Sequence, residues 1–388
     1  MKVTFISNFL NHHQLPLCEA MRSLLGKKFT FVATTPTDPE RLSMYEEMNE
    51  VYPFVIMSYK SDYLLQKAKK LADESDVVII GSAPDFFIEK RLKNRKLTFK
   101  YSERLYKKGL NLQNFPKAFI SSYIHHGRFQ KYPLYMLCAS AYTAGDLAIF
   151  GNYKGKTFKW GYFPEVKEYD IQQLLNKKRD ESIKILWAGR FLKLKHPEIA
   201  LEVAQKLDNM NFRYQLKMVG AGEEFEKIKK MASDMNLKRP VEFLGVLKHD
   251  EVRKYMEEAN IFLFTSDFNE GWGAVLNEAM NSGCAVVASH AIGSVPFLLK
   301  HGENGLIYEN GNIDDLCNKV ISLERDVELR ERLGKNAYFT LKNTWNAEVA
   351  ANRLLKLSEN LLKGYVNEYK DGPCSNAEII KNNWFKKG

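Results

Sequence analysis

Glu270 and Glu278 stand eight positions apart in the stretch Asn269–Gly283, NEGWGAVLNEAMNSG, and are the residues best spaced to do chemistry together. Apolar runs flank the stretch at Ile261-Phe262-Leu263-Phe264 and Ala285-Val286-Val287-Ala288, so the passage reads strand, loop, helix, strand. The Gly271-Trp272-Gly273 turn would expose backbone N–H groups at the start of a helix, a place that suits a phosphate or another anion. A carboxylate in the loop and a second one about two turns later can bracket a ligand rich in hydroxyls, because ionised carboxylates accept hydrogen bonds from them. Together these features suit a sugar attached to a phosphate. The same residues also suit an acidic loop followed by an ordinary amphipathic helix, and this stretch alone does not separate the two.

Other residues of the same half add to the first reading. Gly189-Arg190-Phe191-Leu192-Lys193-Leu194-Lys195 follows the apolar run Ile183–Ala188, which places Arg190 and Lys195 on a loop at a strand's carboxyl end. A planar guanidinium and a compact ammonium there suit a diphosphate whose charge grows as a bond breaks. Gly245-Val246-Leu247 also lies just past a strand pattern, where a glycine permits close backbone approach and Val246 could pack on a flat base. Taken by itself that tripeptide reads more simply as a structural turn. Gly220-Ala221-Gly222-Glu223 is a Gly-x-Gly without the rest of a dinucleotide fingerprint, and residues 8–11 carry no glycine, which disfavours a dehydrogenase.

These residues need elements to position them. The first half alternates apolar runs (Val3–Ile6, Phe29–Val32, Phe54–Ile56, Val77–Ile80, Leu97–Phe99) with helical patterns, and a run at Leu147–Phe150 closes it. Tyr162–Glu165 and the polar stretch to Glu181 read as a linker, after which the alternation restarts. From about residue 313 the pattern is helical, with a polar tail from Asp371. The expected fold class is α/β, with two doubly wound parallel sheets. The expected domains are 1–165, 166–345, and a C-terminal helix and tail at 346–388 packing back on the first.

At 388 residues the chain is long enough for two cores, and its 45% hydrophobic and 27% charged residues are ordinary for a globular protein. No signal peptide or membrane-spanning run is evident, and five scattered cysteines (Cys18, Cys138, Cys284, Cys317, Cys374) fit buried thiols in a reducing, cytoplasmic setting. The net charge of +10 is uneven: residues 1–165 hold 24 Lys and Arg against 15 Asp and Glu (+9), and the remainder 33 against 32 (+1). Lys90–Lys108 has nine basic residues and one acid, Glu103, with Phe86, Phe87, Phe99, Tyr101 and Tyr106 in or beside it. That mixture suits an anionic membrane surface or a phosphate-bearing partner, and equally a solvated charged face. No nucleic-acid-binding signature accompanies it. His125-His126 reads as a loop pair with no third ligand at metal spacing.

In order along the chain, Gly189-Arg190 with Lys195, Val219–Glu223, Phe243-Leu244-Gly245, Asn269–Gly273 through Glu278-Ala279-Met280, Ser282–Ala288 and Gly302–Leu306 resemble the retaining GT-B glycosyltransferases of the family-four group. The resemblance covers roughly residues 183–345. It implies two Rossmann-like domains facing each other across a cleft and a nucleotide-sugar donor, of the UDP or GDP kind, held by the second. It implies that Arg190 and Lys195 bind the diphosphate, Glu278 the ribose, and Glu270 the hydroxyls of the transferred sugar. Gly189, Asn269 and Gly271 would belong to the same donor site. N–H groups of Trp272 and Gly273 would face the sugar and those of Ala274 and Val275 the phosphate, with Gly245, Val246 and Leu247 near the base. It implies metal-independent transfer with retention, no cofactor beyond the nucleotide-sugar co-substrate, and a saccharide or lipid-linked acceptor in bacterial surface polysaccharide or glycolipid synthesis. The first domain departs from the pattern: the family's Gly-Gly loop is replaced by Asn8–Gln14, and its His-Asp pair by Ser102-Glu103-Arg104. His12, His13, Glu103 and Arg104 are the acceptor-side candidates. Two alternatives stay open, an enzyme of the same fold with a soluble product and a non-catalytic nucleotide-sugar-binding scaffold.

Overall fold

The computed structural model describes residues 1–37, 48–366 and 369–387. Within them the apolar runs become two parallel sheets. The first contains β1 (Val3–Ser7), β2 (Phe29–Ala33), β3 (Val55–Met57), β4 (Val77–Ile80), β5 (Thr98–Ser102), β6 (Leu134–Cys138) and β7 (Thr157–Lys159), in the order β3-β2-β1-β4-β5-β6-β7. The second contains β8 (Ile183–Ala188), β9 (Tyr214–Val219), β10 (Glu242–Gly245), β11 (Ile261–Phe264), β12 (Ala285–Ser289) and β13 (Leu306–Tyr308), in the order β10-β9-β8-β11-β12-β13. Both orders reverse direction beside the first strand of their sheet, as doubly wound folds do. Every residue of β1, β4, β11 and β12 is buried. Strands covered on both faces need continuous apolar runs rather than alternating ones, and that is the sequence pattern found here.

Helices start where the sequence supplies caps. Asp170, Asn312, Asp326 and Asn346 each accept a hydrogen bond from the backbone N–H three residues on, opening the helices Ile171–Lys177, Ile313–Arg325, Val327–Asn343 and Ala347–Leu362. The first of these lies inside the stretch expected to be a linker. Its Leu175 and Ile171 are buried against Tyr338, which polar neighbours disguise in the sequence. The run at 147–150 is a second correction. Leu147 and Ala148 end the helix Thr143–Ala148, and Gly151 at φ +71 turns the chain away. The half is closed instead by β6 and β7, whose sequences LYMLC and TFK are too mixed to stand out.

Contacts divide the chain into one unit of Met1–Glu165 with Asn346–Lys381, and another of Val166–Trp345 with Asn382–Gly388. The helix Ala347–Leu362 packs on the helix Leu15–Leu25 of the first unit. The following tail lies along the edge strand β7: Cys374 N–H donates to Lys159 O (2.8 Å), Lys159 N–H to Ser375 O (2.7 Å) and Ala377 N–H to Thr157 O (3.1 Å). A sheet edge covered in this way cannot template pairing with another chain.

The middle of the basic aromatic segment at 90–108 is internal, whereas Lys90, Lys93, Arg95 and Lys108 are exposed. Phe87 and Phe99 are core residues, and Tyr106 packs on Phe150. Arg91 is fully buried, donating to Thr98 Oγ1 and to the carbonyls of Ser75, Leu97, Asp76 and Ala72. Lys100 is paired with Asp85 at 2.7 Å. A basic residue in sequence need not be a basic surface, since its long stem can carry the charge to buried acceptors. His125 and His126 close a helix rather than form a loop. His125 Nδ1 lies 2.8 Å from Asp85, and burial pushes the His126 imidazole down to about 3.

Candidate functional site

In the second unit, the loops after β8, β9, β10 and β11 are tied to one another by their own backbones. Gly189 N–H donates to Val219 O (3.0 Å), Phe191 N–H to Ala221 O (2.8 Å), and Gly220 N–H to Gly245 O (2.8 Å). Two glycines make this possible. At Gly220 (φ +124) a Cβ would stand 2.0 Å from Gly189 O, and at Gly222 (φ +153) it would stand 2.5 Å from Phe191 O. No side chain fits either place. The loop after β11 joins the set through Asp267 N–H to Leu194 O (3.0 Å) and through Thr265 Oγ1, which donates to Lys195 O (2.6 Å) and accepts from Trp187 Nε1 (2.9 Å).

This frame brings the charged residues together. Lys195 Nζ forms an ion pair with Glu270 Oε2, the two side chains being 16% and 12% exposed. Glu270 also accepts from Ser266 Oγ at 3.1 Å. Asp267 Oδ1 shapes the turn by accepting from Asn269 N–H (2.8 Å) and Asn269 Nδ2 (3.0 Å). Gly273, at φ +75, has no room for a Cβ, which would meet the Phe264 ring at 2.3 Å. Trp272 is buried against Phe297 and Trp345 and donates from Nε1 to Asn277 Oδ1 (2.9 Å), so its side chain anchors the helix start. Gly271 and Ala274 are buried, whereas Val275 opens the helix Val275–Asn281 that carries Glu278. Arg190 is exposed on its loop and Val246 is 60% exposed, with Leu247 half-buried beside it.

Glu278 lies opposite a residue that sequence reasoning missed. His249, the first residue of the helix His249–Glu258, places Nε2 2.9 Å from Glu278 Oε1. That hydrogen bond is the chief cause raising the His249 pKa above its ordinary value, against the desolvation that lowers it. His249 follows Gly245 by four residues at a helix start, and only that position could have pointed to it. A second missed imidazole is His196, in the left-handed region at φ +48, with Nδ1 2.8 Å from Glu198 and Nε2 3.3 Å from Asp267. Its pKa is raised chiefly by the Glu198 hydrogen bond.

In the first unit, three of the four acceptor-side candidates meet around Tyr162, just past β7. His12 and His13 have ring centroids 3.6 Å apart, and His13 stacks on Tyr162 at 5.6 Å with an interplanar angle of 4°. Tyr162 Oη donates to Glu103 Oε1 at 2.6 Å, and Glu103 Oε2 pairs with Lys107 at 2.8 Å. Arg104 turns inward instead. Its side chain is 7% exposed, lies 3.5 Å from Asp146 and sits 4.7 Å from the Tyr142 ring. Asp146 also accepts from the N–H groups of Leu105 and Tyr106, so Arg104 and Asp146 hold the turn.

With this geometry in view, residues 170–339 match the family model described as Glycosyl transferases group 1. The second unit therefore carries a domain of that family. Similar relatives include an uncharacterized glycosyltransferase of Methanocaldococcus jannaschii, 31% identical over 41% of this chain and 44% of that protein. Another is the N-acetyl-alpha-D-glucosaminyl L-malate synthase of Bacillus anthracis, 28% identical over 47% of this chain and 45% of that protein. The chain thus spans about half the length of the curated relatives it matches. The HepE protein of Anabaena, solved in complex with UDP, superposes with a TM-score of 0.68 over 94% of this chain and 100% of that one. At 16% identity this likeness is one of fold, and the two parallel-sheet Rossmann-like units are those of GT-B structures.

Proposed function

We propose that this protein is a metal-independent glycosyltransferase. It moves a sugar, with retention at the anomeric carbon, from a UDP- or GDP-sugar to a saccharide or lipid-linked saccharide acceptor. The product belongs to a surface polysaccharide or glycolipid, and the work is done at the cytoplasmic face of an anionic membrane. The observation carrying this reading is the Lys195–Glu270 pair, held by four strand-end loops inside the residues that match the group 1 model. HepE's complex with UDP makes UDP the first nucleotide to test.

In the proposed step the acceptor's hydroxyl oxygen bonds to the anomeric carbon as that carbon's bond to the phosphate oxygen breaks. The nucleoside diphosphate leaves with the electron pair, and its freed oxygen takes the acceptor's proton. Arg190 and Lys195 neutralise the charge that develops on the leaving group, which is where fixed cations lower a barrier most. Donor entry would draw Lys195 from Glu270 to the diphosphate and leave the Glu270 carboxylate to accept from sugar hydroxyls. Glu278, oriented by His249, would accept from the ribose. His12, His13 and Glu103, joined through Tyr162, are the acceptor-side groups of this reading, and Arg104 supports their turn.

A thermal-shift screen of UDP, GDP and ADP with their sugars tests the donor, because a ligand of the native state raises the melting temperature with its saturation. Glu270→Ala is expected to abolish transfer while retaining nucleotide binding, and Glu278→Ala to weaken nucleotide binding. Full transfer by Glu270→Ala would overturn the assignment. Donor binding without turnover or slow donor hydrolysis would favour a non-catalytic binding protein.

A further inference from the structure

The helix Phe115–His125 lies on the first unit with most of its surface in solvent. Only Ser122 is buried along it, where its Oγ accepts from Asn152 Nδ2 at 2.7 Å. Phe115 and Phe119 rest one edge on Phe150, at ring distances of 5.3 and 5.7 Å. At roughly 100° per residue, Phe119, Tyr123, Pro116, Ile120 and Ile124 fill a continuous arc of about 140° on the side away from Ser122. Phe119, Ile120, Tyr123 and Ile124 are 54%, 58%, 61% and 41% exposed, and Leu112, just before the helix, is 96% exposed. An apolar face of this kind on a helix with so little core contact is not explained by folding.

The charge that the segment from 104 to 145 itself carries is one-signed. No Asp or Glu occurs between Glu103 and Asp146, whereas Arg104, Lys107, Lys108, Lys117, Arg128 and Lys131 do. Arg104 is internal, Lys107 is paired with Glu103 and Arg128 with Glu89, and His125 with Asp85. Lys108, Lys117 and Lys131 are exposed, and Lys117 sits at the margin of the apolar arc. An apolar stripe beside exposed lysines on a surface helix is the arrangement that lies in the headgroup boundary of an anionic bilayer, the side chains entering the acyl region and the ammonium groups meeting the headgroups.

We infer that Phe119, Ile120, Tyr123 and Ile124, with Leu112, form a docking face for an anionic lipid bilayer, and that Lys108, Lys117 and Lys131 supply its electrostatic part. The inference deepens the membrane part of the proposed function and moves it from the 90–108 segment, whose aromatics are mostly internal, to this helix. Vesicle binding is measured without donor or acceptor, so its failure would leave the sugar-transfer reading standing, and loss of transfer would leave this one standing.

The experiment is co-sedimentation of the full chain with vesicles of equal parts phosphatidylcholine and phosphatidylglycerol, compared with phosphatidylcholine alone. The wild type is expected to bind the anionic vesicles, more weakly as salt rises. The combined variant Leu112→Ser, Ile120→Ser, Tyr123→Ser should bind at least roughly tenfold more weakly, in keeping with lost apolar burial. Its melting temperature should hold, because the replaced side chains are exposed. Lys108→Glu with Lys117→Glu and Lys131→Glu should remove the preference for anionic vesicles. The inference is overturned if the wild type binds neither vesicle, or if the serine variant binds as well as the wild type. It is also overturned if light scattering shows the face joining two copies of the chain that the serine variant separates.

Discussion

The carboxyl-end loops of the two sheets are built on different principles. In the second unit, backbone passes so close to backbone that Gly220 and Gly222 admit no side chain, and charged residues stand on the resulting frame. In the first unit, the loop after β1 is also tied to its neighbour, Thr34 N–H donating to Asn8 O at 2.8 Å, yet it carries Asn8-Phe9-Leu10-Asn11 without a glycine. A Cβ at Gly81, after β4, would stand a tight 3.1 Å from Ser7 Oγ, a side-chain atom, rather than inside a backbone carbonyl. Its groups are imidazoles and a tyrosine joined side chain to side chain. A frame made of backbone constrains residue type, and one made of side chains can be rebuilt with other residues. The family match, confined to residues 170–339, lies in the unit whose frame is made of backbone.

The sharpest way to break this contrast is Gly220→Ala, which puts a methyl group into Gly189 O at a φ that disfavours it. The expected loss is about 3 kcal/mol or more of stability, read from the urea midpoint. In the first unit, Asn11→Ala removes the Oδ1 that accepts from His13 and Gln14 N–H (3.0 and 3.1 Å) and the Nδ2 that donates to Gln14 Oε1 (3.2 Å), and should cost about 1 kcal/mol. Equal losses from the two substitutions would erase the distinction.

His249 tests whether the second unit's charged pairs act on stability. Its folded pKa is raised above 6.5 by the Glu278 hydrogen bond. The stabilisation is therefore complete below the unfolded value and disappears as pH rises through the higher folded one. The melting temperature should fall across that window in the wild type and much less in His249→Gln. A wild-type curve no steeper than the variant's would show that the pair contributes nothing. The smallest effect is expected from Tyr162→Phe, which removes the 2.6 Å bond to Glu103 while keeping the His13 stack, at about 0.5 kcal/mol. Its sharper readout is acceptor KM, which should rise while donor affinity stays unchanged.

Much of the cluster at the strand ends of the second unit was legible because it depends on local chemistry. Glycines at strand ends, a basic loop and two carboxylates eight apart are visible in one dimension, and each lies within a few residues of the strand that positions it. The 147–150 run and the 166–181 stretch misled for the opposite reason. Whether Leu147 ends a helix or Leu175 meets Tyr338 depends on partners that local pattern does not contain.

By itself, then, the amino-acid order determined two parallel α/β sheets, through continuous apolar runs that only doubly covered strands need. It also determined the glycine-framed loops, through positions no other residue can occupy. The tertiary structure alone decided that His249 meets Glu278 from 29 residues away, that Tyr162 joins His13 to Glu103 across 59, and that the tail covers β7. It also decided that the charges of Arg91 and Lys100 turn inward while the apolar face of Phe115–His125 turns out. Side-chain partners at long separation are set by how the elements pack, and packing is a property of the whole chain.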